Sequence, residues 1–217
     1  MSTKNRYLLM LQTIFITCVV ISPIVSVKLI ALRFSIFGVP AAVTGSAFIY
    51  AFVFILSNMI SQVGGESEAK YTSIFGLVCQ VVATILFACI GILPHVDSSV
   101  QAAYKIVLGS NIVFTVSGIL TYLISQFCNI TMFSRLSKSC KNSTLANLIS
   151  TVVSQLVDNI FFLGFSYGLF LGWIFNRETL IQLVVMIISQ FVVRTLLSIV
   201  ETPVFRLAFV TSDKKLD

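Results

Sequence analysis

Charge is scarce in this chain. Only 10% of its 217 residues are Asp, Glu, Lys or Arg, where a soluble domain carries about 25%. Histidine occurs once, as His95 after Pro94, and one imidazole makes no metal centre. The acids do not gather into the carboxylate cluster that a metal-dependent membrane transferase needs. The five cysteines are Cys18, Cys79, Cys89, Cys128 and Cys140, and none form C-x-x-C. Four of them lie inside apolar runs, where a thiol behaves as a small hydrophobe, so neither a disulfide framework nor a metal site is expected. G-x-S-x-G, H-E-x-x-H and P-loop patterns are also missing. With no catalytic set, the reading is of a non-enzyme without a cofactor.

What the chain has instead is apolar length. It is 57% hydrophobic, with a mean hydropathy of +1.01. A helix that crosses a bilayer needs about 20 mostly apolar residues. Six runs qualify, roughly 7–32, 40–62, 71–93, 104–130, 144–174 and 179–203. Lipid admits only helices or closed barrels, and these runs are too long and too uniformly apolar for barrel strands. The expected fold is an all-α integral membrane protein, a bundle of six transmembrane helices forming one domain over 1–217. The first run follows Lys4 and Arg6 as a signal peptide would. It exceeds the usual apolar region and no small-x-small cleavage site lies near its end, so it is read as the first span. The polar connectors are short: 63–70, 94–101 and 134–143. The stretch RFSIFGVP (33–40), broken by Gly38 and Pro40, is read as a small interfacial turn. There is no convincing repeat and no low-complexity tract.

The net charge of +6 is unevenly placed. Lys4, Arg6, Lys70, Arg135, Lys138, Lys141, Arg206, Lys214 and Lys215 fall on one side of such a bundle; Lys28, Arg33, Lys105 and Arg177 fall on the other. The positive-inside rule then puts both termini in the cytoplasm. The basic balance is a topology signal, and no soluble domain is left to bind nucleic acid.

Polar residues inside the runs keep helical spacing. The fifth run has Asn147, Ser150, Ser154 and Asp158; the sixth has Gln190, Arg194, Ser198 and Glu201. The fourth carries Asn111, Thr115, Gly118, Tyr122, Gln126 and Asn129, the second ends with Asn58 and Gln62, and the third offers Gln80. Steps of three and four line one face of a helix. Hydroxyls and amides in membrane helices often only join neighbours, at roughly 0.6–2 kcal/mol each. A charge at mid-span is different, costing about 2.5–3.5 kcal/mol on insertion scales. Asp158 and Arg194 are the natural pair, and because an intramembrane ion pair is a poor stabilising device they are read as functional. Phe161, Phe162, Phe165, Tyr167 and Trp173 read first as core, lipid-facing or interfacial aromatics. One or two near Asp158, such as Phe162, are placed to stack on a flat ligand.

These stripes resemble a known family. SQLVDNIFF (154–162) is similar to the S-Q-L-x-D-T-x-x-F signature of the queuosine-precursor transporters, the vitamin uptake transporter family. SNMISQVGGESEAK (57–70) resembles T-D-x-x-x-E-x-x-G-x-x-x-A-R, SQFCNITMFSRLSK (125–138) resembles G-Q-x-x-D-x-x-x-F-x-x-L-K, and RTLLSIVETPVF (194–205) resembles K-x-x-x-x-x-x-D-T-P. Their order and spacing match over nearly the whole chain. The departures are of one kind. Asn58 and Asn129 stand where the family has Asp, Gln62 where it has Glu, Arg194 for Lys and Glu201 for Asp. TLAN keeps only Leu145 and Asn147 of the family's W-L-R-N. The resemblance implies import, across the cell inner membrane, of a 7-deazaguanine: queuine or the 7-cyano or 7-aminomethyl base. It also implies substrate contacts from Asp158, Gln155, Arg194, Asn58, Gln62, Gln126, Asn129, Glu201 and Phe162. A carboxylate such as Asp158 accepts from the ring N–H and exocyclic amine side by side, and amides read the other edges.

Two rival readings remain. One is the substrate-binding subunit of an energy-coupling-factor vitamin importer, which needs a separate ATPase-containing module. The other is a non-transporting membrane scaffold. The partners expected are the deazaguanine cargo and the lipid bilayer, with a homodimer left open.

Overall fold

The computed structural model describes residues 3–36, 38–109, 111–139 and 143–216, with the side chains of 111 and 201–216 outside the description. Among the described residues, six helices are long and apolar enough to cross a membrane, in the order the hydropathy predicts. They are α1 (Thr3–Ser26), α2 (Ser46–Gly64), α3 (Glu66–Gly91), α5 (Asn111–Ser139), α6 (Ser143–Leu163) and α7 (Arg177–Leu216). A short α4 (Ser98–Tyr104), capped by the Asp97 carboxylate, leads through a π-turn (Lys105–Gly109) toward α5. The fourth run therefore starts earlier than expected. It also ends later, because α5 absorbs most of the polar stretch after residue 134, and α7 runs on past Pro203. The third run likewise begins at Glu66, directly after Gly65.

Burial is inverted relative to a water-soluble domain. The interior holds Arg194, Asp158, Asn58, Gln80, Gln126 and Gln155, while Ile85, Leu86 and Ile90 of α3 and Leu196 and Ile199 of α7 face outward. That distribution is the one a bilayer imposes, since lipid solvates apolar side chains and polar groups must find partners inside. Many hydroxyls are satisfied within their own helix: Thr13 donates to the Leu9 carbonyl, Ser73 to Ala69 and Ser189 to Val185, the usual back-bonding of Ser and Thr.

The expectation of an all-helical chain fails between α1 and α2. Helix α1 stops at Ser26, three residues after Pro23, and the chain forms an antiparallel hairpin, β1 (Leu29–Ile36) and β2 (Val39–Thr44). Neither the helix through residue 32, nor a start of the second helix near 40, nor a small turn at 33–40 describes it. Proline in the last turn of α1 lacks an N–H and crowds the carbonyl four residues back. The β-branched, apolar sequence that follows suits a pleated surface. Gly38 at the tip has φ 76°, a left-handed conformation that costs glycine nothing. Between Ala31 and Ser35 the register slips in a bulge.

The hairpin lies along one face of α7. A groove of about 220 Å³ between them is lined by Val39, Pro40, Ala42, Trp173, Gln182 and Met186. The base of the hairpin reaches Gln190, since Thr44 bonds to that amide. Gln190 follows Arg177 by 13 residues, about 20 Å of helix, so β2 ends near mid-span. Non-helical backbone at that depth is tolerated only when protein buries it, and Ala41, Val43 and Thr44 are fully buried. Just after β2 the chain passes close to the end of α1 at Gly45. A Cβ there would lie 2.6 Å from the Val25 carbonyl oxygen.

Candidate functional site

The polar stripes of α2, α5, α6 and α7 meet inside the bundle. Asp158 on α6 and Arg194 on α7 form a salt bridge, Oδ2 to Nη1 at 2.6 Å, with almost no exposure. Ser125 of α5 donates to the other carboxylate oxygen at 3.0 Å. The guanidinium carbon lies 5.2 Å from the centre of the Tyr50 ring on α2, within range of a cation–π contact. Four helices thus converge on one ion pair. Arg194 is not saturated: its Nε and Nη2 have no hydrogen-bond partner among the described residues.

Two kinds of amide lie on the helices that carry the pair. Asn129 donates to Asn58 Oδ1 at 2.8 Å and to the Ser57 hydroxyl at 2.9 Å. Asn58 in turn donates to Asn147 Oδ1 at 2.7 Å and to Thr151 at 3.2 Å. That group joins α2, α5 and α6 and spends most of its capacity on itself. Gln126 and Gln155 differ. Gln155 Nε2 donates to Ser198 at 2.9 Å, while Gln155 Oε1 and both polar atoms of Gln126 are buried without a partner among the described residues. Each such group costs about 1–3 kcal/mol, which an arriving hydrogen-bonding ligand offsets.

One turn along α6 from Asp158, Phe162 enters an aromatic cluster with Phe114, Tyr167 and Met186. The Phe114 ring centroid is 6.3 Å from Phe162 and 5.7 Å from Tyr167, and Tyr167 meets Trp173 edge-on at 5.0 Å. Here α6 loosens into a π-helix, Gly164–Phe170, a distortion common at functional sites. The hairpin is tied to the same region. Gln190 Oε1 accepts from the Thr44 N–H at 3.0 Å and from its hydroxyl at 2.8 Å, and Gln190 Nε2 donates to Asn159, the neighbour of Asp158.

Residues 44–208, well over half of the chain, match the family described as "Putative vitamin uptake transporter". The chain belongs to that family. Neither a curated protein nor a solved structure gives a match. As a member it is a multi-pass membrane protein of the vitamin-uptake transporter type.

In this vitamin uptake transporter the matched segment takes in the ion pair, both amide groups and Thr44 at the base of the hairpin. Of the residues singled out by sequence, Asp158, Arg194, Asn58, Gln126, Asn129, Gln155 and Phe162 are all buried. Gln62 is exposed near the end of α2 and stands apart from the group, and the Glu201 side chain lies outside the description. Sequence reasoning missed Ser125, Tyr50 and Thr44. Ser125 lies one residue from a stripe position and Tyr50 two turns before Asn58, a spacing that puts the tyrosine on the Asn58 side of α2.

Proposed function

We propose that this transporter imports a queuosine precursor, a 7-deazaguanine base such as queuine or its 7-cyano or 7-aminomethyl relatives, across the cell inner membrane for tRNA modification. Asp158 accepts from the paired donors of the base, Arg194 orients the carboxylate, and Gln126 and Gln155 read the remaining edges. Phe162 covers one face. Asn58 and Asn129 hold the helices around the site, and Glu201 serves as the second acid. The observation that carries the reading is the buried Asp158–Arg194 pair with unpartnered amides and guanidinium nitrogens around it. A site whose buried groups match one hydrogen-bonding edge rejects ligands that lack it strongly.

The test is uptake in a host unable to make queuosine, each precursor supplied in turn, with tRNA modification as the readout. Restoration by at least one deazaguanine is expected. If an anionic vitamin such as pantothenate binds and no deazaguanine does, the reading is wrong.

A further inference from the structure

Helix α3 sits at the edge of the bundle. Ile74, Val78, Val82 and Ile85 face outward, and its buried residues form one stripe, Ala69, Thr72, Ser73, Gly76 and Gln80. The first part of that stripe packs on α1, where Gln12 donates to Thr72 at 3.0 Å, and from Gly76 onward it also meets α5. A Cβ on Gly76 would lie 3.5 Å from the Tyr122 hydroxyl, and one on Gly118 would lie 3.6 Å from Gln80 Nε2. Thr84 and Thr115 bond at 3.1 Å one turn further on. The outermost rung is hydrogen-bonded as a helix joint should be. The Gln80 rung is not. Gln80 is 1% exposed, and neither its amide oxygen nor its nitrogen has a partner among the described residues. An amide whose task is to join helices bonds across the seam; this one is buried with both ends open.

Its place is informative. Gln80 reaches α5 at Gly118, and Ser125, which donates to Asp158, is seven residues further along the same helix. That is about 10 Å by helix rise. Seven residues is about two turns, so Gln80 and Asp158 are approached from one face of α5. We propose that Gln80 is a further specificity-determining residue, whose amide pairs with the polar 7-substituent at the end of the cargo remote from Asp158. The proposal rests on the reading that Asp158 holds the donor edge of a deazaguanine.

The experiment compares the full-length protein with Gln80→Leu and Gln80→Glu. Thermal unfolding in detergent is measured beside binding of 7-aminomethyl-7-deazaguanine, 7-cyano-7-deazaguanine and unsubstituted 7-deazaguanine. Gln80→Leu should unfold at the same temperature or higher, because it removes open polar groups. It should bind the substituted bases about tenfold more weakly and the unsubstituted base unchanged. Gln80→Glu, an acceptor only, should favour the aminomethyl base over the cyano base. A lower unfolding temperature in Gln80→Leu with equal loss for all three bases assigns Gln80 to packing and overturns the proposal. Unaltered preference among the bases does so too, while leaving the deazaguanine reading in place. Failure of the unmodified protein to bind any of the three overturns both.

Discussion

Arg194 has one anchor on a carboxylate and one on an aromatic face, and the two respond differently to substitution. Arg194→Lys keeps a cation that can reach Asp158, matches the residue the family pattern carries, and should retain part of the uptake. Arg194→Leu leaves a buried carboxylate unpaired and should destabilise the protein by about 3–5 kcal/mol, seen as a lower unfolding temperature in detergent. Asp158→Asn should reduce uptake to background while the protein still inserts, since an amide is cheaper in lipid than a charge. The decisive variant is Asp158→Asn with Arg194→Gln. If the pair only packs α6 against α7, that double variant regains uptake at equal membrane abundance; we expect it to stay inactive. Asn58→Leu acts on stability instead, leaving Asn147 Oδ1 short of its donor at about 1–3 kcal/mol. The ion pair was legible in the sequence because a charge inside an apolar run is costly wherever it points. Ser125 and Tyr50 were not, because serine and tyrosine are common in membrane helices for ordinary reasons.

Among the elements, the six helices were legible from run length alone, which is all that spanning requires, and the stripes of α5, α6 and α7 were legible from their period. The hairpin was not. LIALRFSI carries on the apolar run of α1 with only Lys28 and Arg33 interrupting it, and the partner that fixes β2, Gln190, lies 146 residues away from Thr44. No local signal marks a pairing of that kind. Two substitutions probe it. Gly45→Ala drives a methyl group against the Val25 carbonyl and should cost about 1–3 kcal/mol as overpacking. Gln190→Leu strips Thr44 of its acceptor and Asn159 of a donor, so limited proteolysis should cut the hairpin faster than in the unmodified protein. An unchanged cleavage rate would show that Gln190 does not hold it.

For the whole molecule, the excess of Lys and Arg on one side of the bundle predicts, by the positive-inside rule, that both termini are cytoplasmic. A reporter fused after Asp217 should be active only in its cytoplasmic form; activity confined to the periplasmic form refutes that topology. The exchange of the family's acids at positions 58, 62 and 129 for amides was visible in the sequence, but its outcome was not. Only the folded chain shows Asn58 and Asn129 bonded to each other, with Gln62 outside. The link from Thr44 to Gln190 also bears on biogenesis. Strand β2 is made early and its anchor on α7 is made last, so while the intervening helices are synthesised the Thr44 N–H has no acceptor at mid-span. The hairpin must wait near the aqueous boundary and dock only when the final helix arrives. A nascent chain stalled before residue 190 should therefore expose the hairpin to a membrane protease, and release of the complete chain should abolish that cleavage.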